Sequence, residues 1–153
     1  MIIILDSNIL GFLTNQNSQS NMIRQCQEWL YKVVSRGHLV YSSDICDYEL
    51  RRELLRINSQ ESIQELDRLR AEGLITFLTV DIHDLRIAAD LWSNSRKAGK
   101  PNKDQKNIDV DCILSAQCLN LKKQFPGHRV VLATMNLKDF EEMIDCALWA
   151  DIG

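Results

Sequence analysis

Acidic side chains fall at a few places in this chain where the surrounding pattern gives them a shared use. Asp6 ends the apolar run Ile2 to Leu5 and is followed by Ser7 and Asn8. Glu49 sits early in one helical stretch, Asp109 and Asp111 open another, and Thr134, Asn136 and Asp139 follow a short β-branched run. Carboxylates gathered from such points repel one another unless a divalent cation sits among them. Mg2+ and Mn2+ prefer oxygen ligands, keep several waters and can take phosphate oxygens at the same time. The reaction that suits such a centre is hydrolysis of a phosphodiester, in which the metal activates water and shields charge on the leaving oxygen.

Each acid also has an ordinary explanation. Asp109 or Asp111 taken alone reads as an N-terminal helix acid favoured by the helix dipole. Glu49, with Arg52 three positions on, reads as an exposed helix residue with a partner, and Thr134 and Asn136 read as turn formers. Asp6 resists this treatment, because a carboxylate directly after a buried strand needs a partner or a metal.

Short β-branched runs alternate with longer helical patterns, and this alternation is what brings the acids together. Ile2 to Leu5 has the unbroken apolar character that a central parallel strand requires. Ile23, Cys26, Leu30, Val33 and Val34 recur at helical spacing, with Gly37 placed to end the helix. Further strands are predicted at 38–42, 74–78, 129–133 and 147–151. Residues 44–73 read as two helices broken at Asn58 and Ser59, with Ser59 as an N-cap. Asp81 is placed to cap a helix whose Leu85, Ala88, Leu91 and Trp92 share a face, and Gly99 to end it. A polar loop at 100–108, a helix at 109–123 and a short helix at 137–145 complete the reading. The pattern predicts one α/β domain over residues 1–153, a parallel sheet with helices on both faces. Ligands of such sheets collect at the carboxyl ends of the strands, where Asp6, Glu49, Asp109, Asp111 and Asp139 would converge.

Composition narrows the function classes. A chain of 153 residues can bury about two thirds of the surface its unfolded form exposes. With 45% hydrophobic and 25% charged residues it is neither disordered nor fibrous. The net charge of -3, from 18 Lys plus Arg against 21 Asp plus Glu, argues against a whole-molecule electrostatic grip on nucleic acid. Five cysteines without a C-x-x-C pair suggest neither a disulfide framework nor a zinc ribbon, and fit a reducing cytoplasm. No apolar stretch approaches the roughly 20 residues that span a bilayer, so no membrane association is expected.

The motifs resemble those of a known family. Ile3-Ile4-Leu5-Asp6-Ser7-Asn8-Ile9-Leu10 is similar to the opening of PIN-domain ribonucleases, where apolar residues precede D-[ST]-N. Asp111-Cys112-Ile113-Leu114-Ser115-Ala116-Gln117 resembles their D-x-x-I-A-A motif, and the segment from Leu132 to Phe140 their T-x-[ND]-x-x-D-F. Glu49 resembles the glutamate they carry on the helix after the second strand. The resemblance spans almost the whole chain in the expected order. It implies a three-layer α/β/α sandwich and Mg2+- or Mn2+-dependent cleavage of RNA by toxins of the VapC type. It further implies an antitoxin protein as partner and is compatible with a homodimer. By position it makes Asp6, Glu49 and Asp111 the catalytic metal ligands, with Asp109, Asn136 and Asp139 as additional ligands. Ser7, Asn8 and Thr134 would orient those carboxylates or metal-bound waters. Asn136 stands where many relatives have a fourth acid, which bears on a second metal.

The run from Arg96 to Lys106 carries Arg96, Lys97, Lys100, Lys103 and Lys106 against one acid. A helix C-terminus favours cations by itself, yet the position of this run beside Asp109 and Asp111 makes it a candidate for phosphate contacts. Arg51, Arg52 and Arg56 are weaker candidates. Trp29, Tyr31, Tyr48, Trp92, Phe140 and Trp149 are scattered and read as core or interface residues, and His38, His83 and His128 lack metal-ligand spacing. The stripe Ile63, Leu66 and Leu69 reads either as a surface for an antitoxin helix or as a lid on its own domain. Two other functions compete with the nuclease. One is a catalytically weak PIN module that binds RNA or protein. The other is an aspartate-nucleophile phosphatase, which Asn8 disfavours because those enzymes carry D-x-D.

Overall fold

The computed structural model describes residues 1–98 and 108–153. Its centre is a five-stranded, wholly parallel sheet in the order β3-β2-β1-β4-β5. The strands are β1 (Ile2–Leu5), β2 (Leu39–Ser43), β3 (Thr76–Leu78), β4 (Val130–Ala133) and β5 (Cys146–Ala147). All four residues of β1 and of β4 are buried, as the innermost strands of a sheet covered on both faces must be. The helices are α1 (Ser7–Thr14), α2 (Asn21–Ser35), α3 (Asp44–Arg56), α4 (Gln60–Ala71), α5 (Ile82–Lys97), α6 (Ile108–Gln124) and the single turn α7 (Leu137–Phe140). Together they make the three-layer α/β/α sandwich. No helix among the described residues is long and apolar enough to cross a membrane.

The main core joins β1 and β4 to α1, α2 and α6, and the Trp29 and Trp149 rings close it at 5.9 Å between centroids. Trp29 Nε1 donates to the Ile152 carbonyl at 2.7 Å, which ties the C-terminal end to α2. A smaller cluster of Ala88, Cys112 and Ala116 seals α5 against α6. Gly37 follows α2 at φ 80°, a left-handed position that suits glycine, and its N–H donates to the Val34 carbonyl.

Several expectations move. The second strand lies one residue later than 38–42, and the third is confined to Thr76–Leu78. The helix expected at 137–145 ends at Phe140. The strand expected at 147–151 is the pair Cys146–Ala147, followed by a 3-10 turn at Trp149–Asp151. Ser59 occupies the N-cap of α4 without a capping bond from its side chain; the chain turns there through Asn58 at φ 56° instead. The shared face of α5 is only partly covered. Ala88 is buried, while Leu85 and Trp92 are 45% and 41% exposed. Leu66 and Leu69 are buried and Ile63 is half-buried, so the α4 stripe packs largely on its own domain. Gly99 and the loop at 100–108 lie outside the described residues apart from the start of α6.

Candidate functional site

The strand order reverses direction at β1, whose neighbours β2 and β4 are entered on opposite sides. A parallel sheet opens a crevice at the carboxyl end of such a switch point. Asp6 stands there, immediately after β1, and Thr134 stands immediately after β4. The Asp6 N–H bonds the Ala133 carbonyl at 3.1 Å, continuing the ladder by one residue and fixing the carboxylate's origin.

Asp6 is also the N-cap of α1, a helix that begins at Ser7 with no intervening loop. Its Oδ1 accepts from the Asn8 N–H at 3.3 Å and from Ser7 Oγ at 3.0 Å. Its Oδ2 accepts from Thr134 Oγ1 at 2.6 Å, and the Asn136 N–H in turn donates to Thr134 Oγ1 at 3.0 Å. The side chain is only 6% exposed. Glu49, one turn into α3, reaches the same point, and Ser7 Oγ lies 2.6 Å from its Oε1. Beside them a hollow of about 250 Å³ is lined by Ser7, Asn8, Glu49, Leu50, Arg52 and Glu53.

Two features of this pair leave it incomplete. The Ser7 hydroxyl has one proton and two carboxylate neighbours, so it can serve only one of them at a time. Glu49 Oε2 is buried and has no hydrogen-bond partner. Neither Asp6 nor Glu49 makes an ion pair among the described residues. Buried anionic oxygens without a counter-charge are costly, and a hard cation with oxygen preference is what they fit. Among the described residues no group of three or more acidic, histidine or cysteine side chains is already gathered closely enough to hold one. Asp6 and Glu49 are thus the two carboxylates that hydrogen bonds bring together through Ser7 among the described residues.

The helix geometry of α6 separates the two aspartates at its start. Asp109 is exposed and lines an apolar cleft with Leu85, Trp92, Cys112 and Ile113, facing α5. Asp111 is half-buried and shares its side of the helix with Leu114 and Cys118, which enter the main core under the sheet. Asn136 is exposed before α7, and Asp139 is half-buried within it. Of the basic run, Arg96 and Lys97 lie in the last turn of α5, with the Arg96 guanidinium 5.1 Å from the Trp92 ring centroid. Lys100, Lys103 and Lys106 lie outside the described residues.

Cys46 escaped sequence reasoning. It is fully buried on α3, three positions before Glu49, and that spacing was the available signal. Burial pushes its thiol well above the ordinary value, and the charges of Asp6 and Glu49 push it further. It is an uncharged, fully buried group on the helix that carries Glu49. Arg51 and Arg56 leave the list of substrate groups, since Asp47 and Asp67 hold the first and Glu53 the second.

No protein-family model and no curated protein sequence matches the chain. Solved structures do. VapBC2 from Rickettsia felis bound to a DNA fragment from their promoter contains a chain with TM-score 0.69 and 15% identity, over 97% of this chain and 99% of that one. VapBC-1 from nontypeable Haemophilus influenzae gives TM-score 0.68 and 19% identity over 99% and 100%. DNA-bound VapBC from Salmonella typhimurium gives 0.64 and 18% over 97% and 98%. The chain has a PIN-like fold. At these identities the likeness is one of architecture, and every statement about chemistry rests on this chain's own residues.

Proposed function

We propose that this chain is a divalent-metal-dependent endoribonuclease and the toxin component of a toxin–antitoxin pair. The observation that carries the reading is the carboxylate pair of Asp6 and Glu49, both within hydrogen-bond reach of the Ser7 hydroxyl at the switch point of the sheet, with a buried Glu49 Oε2 that no donor among the described residues meets. Asp6, Glu49 and Asp111 would hold Mg2+ or Mn2+, with Asp109, Asn136 or Asp139 available to a further ion. A bound ion of this kind activates water and offsets charge on the departing oxygen.

The chain's own groups do the positioning. Thr134 fixes one oxygen of Asp6, while Ser7 and the Asn8 N–H fix the other, so neither carboxylate oxygen can rotate away from the crevice. Arg52 supplies a cation at the rim where a phosphate must pass. Arg96 and Lys97, in the last turn of α5, are further candidates for phosphate contacts in this reading. The VapBC neighbours support an antitoxin protein as the partner.

The test is cleavage of single-stranded and structured RNA by purified protein with Mg2+, with Mn2+ and with chelator, for the parent and for Asp6→Asn. Metal-dependent cleavage by the parent and none by the variant is expected. Cleavage that survives chelation, or survives Asp6→Asn, would reject the site.

A further inference from the structure

We propose that Tyr48 and Arg52 form a stacking platform for the nucleobase next to the scissile phosphate of a single-stranded RNA. This rests on the nuclease reading above. Tyr48 directly precedes Glu49 on α3, yet its ring is 58% exposed, an unusual loss of apolar burial for a tyrosine beside a buried site. Arg52 is one turn further along the same face, with its guanidinium carbon 5.5 Å from the Tyr48 ring centroid. The same arginine lines the hollow with Ser7, Asn8 and Glu49, so the platform is continuous with the carboxylate pair.

Arg52 differs from its neighbours in being uncommitted. Arg51, Arg56, Arg68 and Arg70, which complete the arginines of α3 and α4, are all held in ion pairs. Arg52 makes no ion pair among the described residues and is exposed. A planar guanidinium over an aromatic ring can take a base by its face and a phosphate by its edge. Single strands are bound in this way, by aromatic faces for the bases and cations for the backbone. Leu55 extends the exposed stripe away from the hollow, so a contact between copies of the chain is the rival occupant.

The experiment uses the full chain carrying Asp6→Asn with Mn2+, so that the strand stays intact. The probe is a fluorescently labelled single-stranded oligoribonucleotide containing 2-aminopurine, read by anisotropy and by quenching of the purine. Adding Tyr48→Leu is expected to weaken binding about tenfold and remove the quench. Tyr48→Phe keeps both, and the melting temperature is unchanged in each. Binding and quench untouched by Tyr48→Leu would overturn the platform and leave the nuclease reading standing. Failure of the Asp6→Asn protein to bind the oligoribonucleotide at all would overturn the platform, while metal-dependent cleavage by the parent decides the nuclease reading separately. A deoxy oligonucleotide bound and quenched equally well would keep the stack and overturn RNA as its source. Loss of a dimer on sedimentation of Tyr48→Leu, with RNA binding unchanged, would assign the face to self-association instead.

Discussion

Ser7 and Glu49, 42 positions apart in the chain, are joined by a 2.6 Å hydrogen bond that carries α3 onto the first turn of α1. It is the one hydrogen bond on the Glu49 carboxylate among the described residues, and Glu49 Oε2 has none. Ser7→Ala therefore leaves both Glu49 oxygens without a donor, while Asp6 keeps Asn8 and Thr134. We expect the variant to fold and to lose about 1 kcal/mol of stability. Its Mn2+ affinity, read from the rise of melting temperature with metal, should fall by roughly 10- to 100-fold. Ser7→Thr should restore most of it. An unchanged Mn2+ midpoint in Ser7→Ala would mean that the hydroxyl does not orient the ligands.

Thr134 makes the complementary contact from β4. Its hydroxyl donates to Asp6 Oδ2 at 2.6 Å and accepts the Asn136 N–H at 3.0 Å, and the residue is fully buried. Thr134→Val keeps the shape and strands one donor and one acceptor. A loss of about 1–3 kcal/mol in urea unfolding is expected, with Thr134→Ser close to the parent. Equal stability of parent and Thr134→Val would show that water replaces the hydroxyl at no cost.

Much of this arrangement is legible in the sequence. Four buried residues ending in Asp6 announced a central strand and its carboxyl-end acid, and the break at Asn58 and Ser59 divided α3 from α4 correctly. Asp81 caps α5 in a reciprocal box with Asp84, as a helix-start aspartate should. Other features depend on partners distant in sequence, which periodicity does not encode. Arg51 looked like a free cation until α4 supplied Asp67, and of the two readings open for the stripe of Leu66 and Leu69 the tertiary packing selects the one in which α4 covers its own domain. Tyr48, read as either core or interface, is left outside by the tertiary packing. The third ligand stayed ambiguous because Asp109 and Asp111 differ only in which side of α6 they occupy.

Asp47 links this geometry to pH. Burial alone would raise its carboxyl, but hydrogen bonds from Arg51 and Arg70, and then their charges, hold it below the ordinary value of 3.8. A depressed carboxylate contributes stability that is complete above about pH 4 and is lost as pH falls through the lower folded-state value. Arg51 also binds Asp67, and Arg70 binds Asp44, so the network clamps α4 to the helix that carries Glu49. Asp47→Asn should cost roughly 3 kcal/mol at neutral pH and flatten the acid limb of the stability curve. A variant whose acid unfolding parallels the parent's would place that proton uptake elsewhere.

The two aspartates of α6 give the sharpest discrimination. Asp111 shares a helix side with Leu114 and Cys118, which face the sheet core, whereas Asp109 lines the cleft toward Trp92 of α5. The two occupy different sides of α6 and should part company in metal binding, with Asp111 proposed as the ligand. Asp111→Asn is expected to weaken the Mn2+-dependent rise in melting temperature by about tenfold in metal concentration and to abolish RNA cleavage. Asp109→Asn should leave the Mn2+ midpoint where it was and retain cleavage. Reading metal binding and cleavage separately keeps the outcomes distinct. Loss of both in Asp109→Asn with neither lost in Asp111→Asn would exchange their roles and would require α6 to turn about its axis when the ion enters.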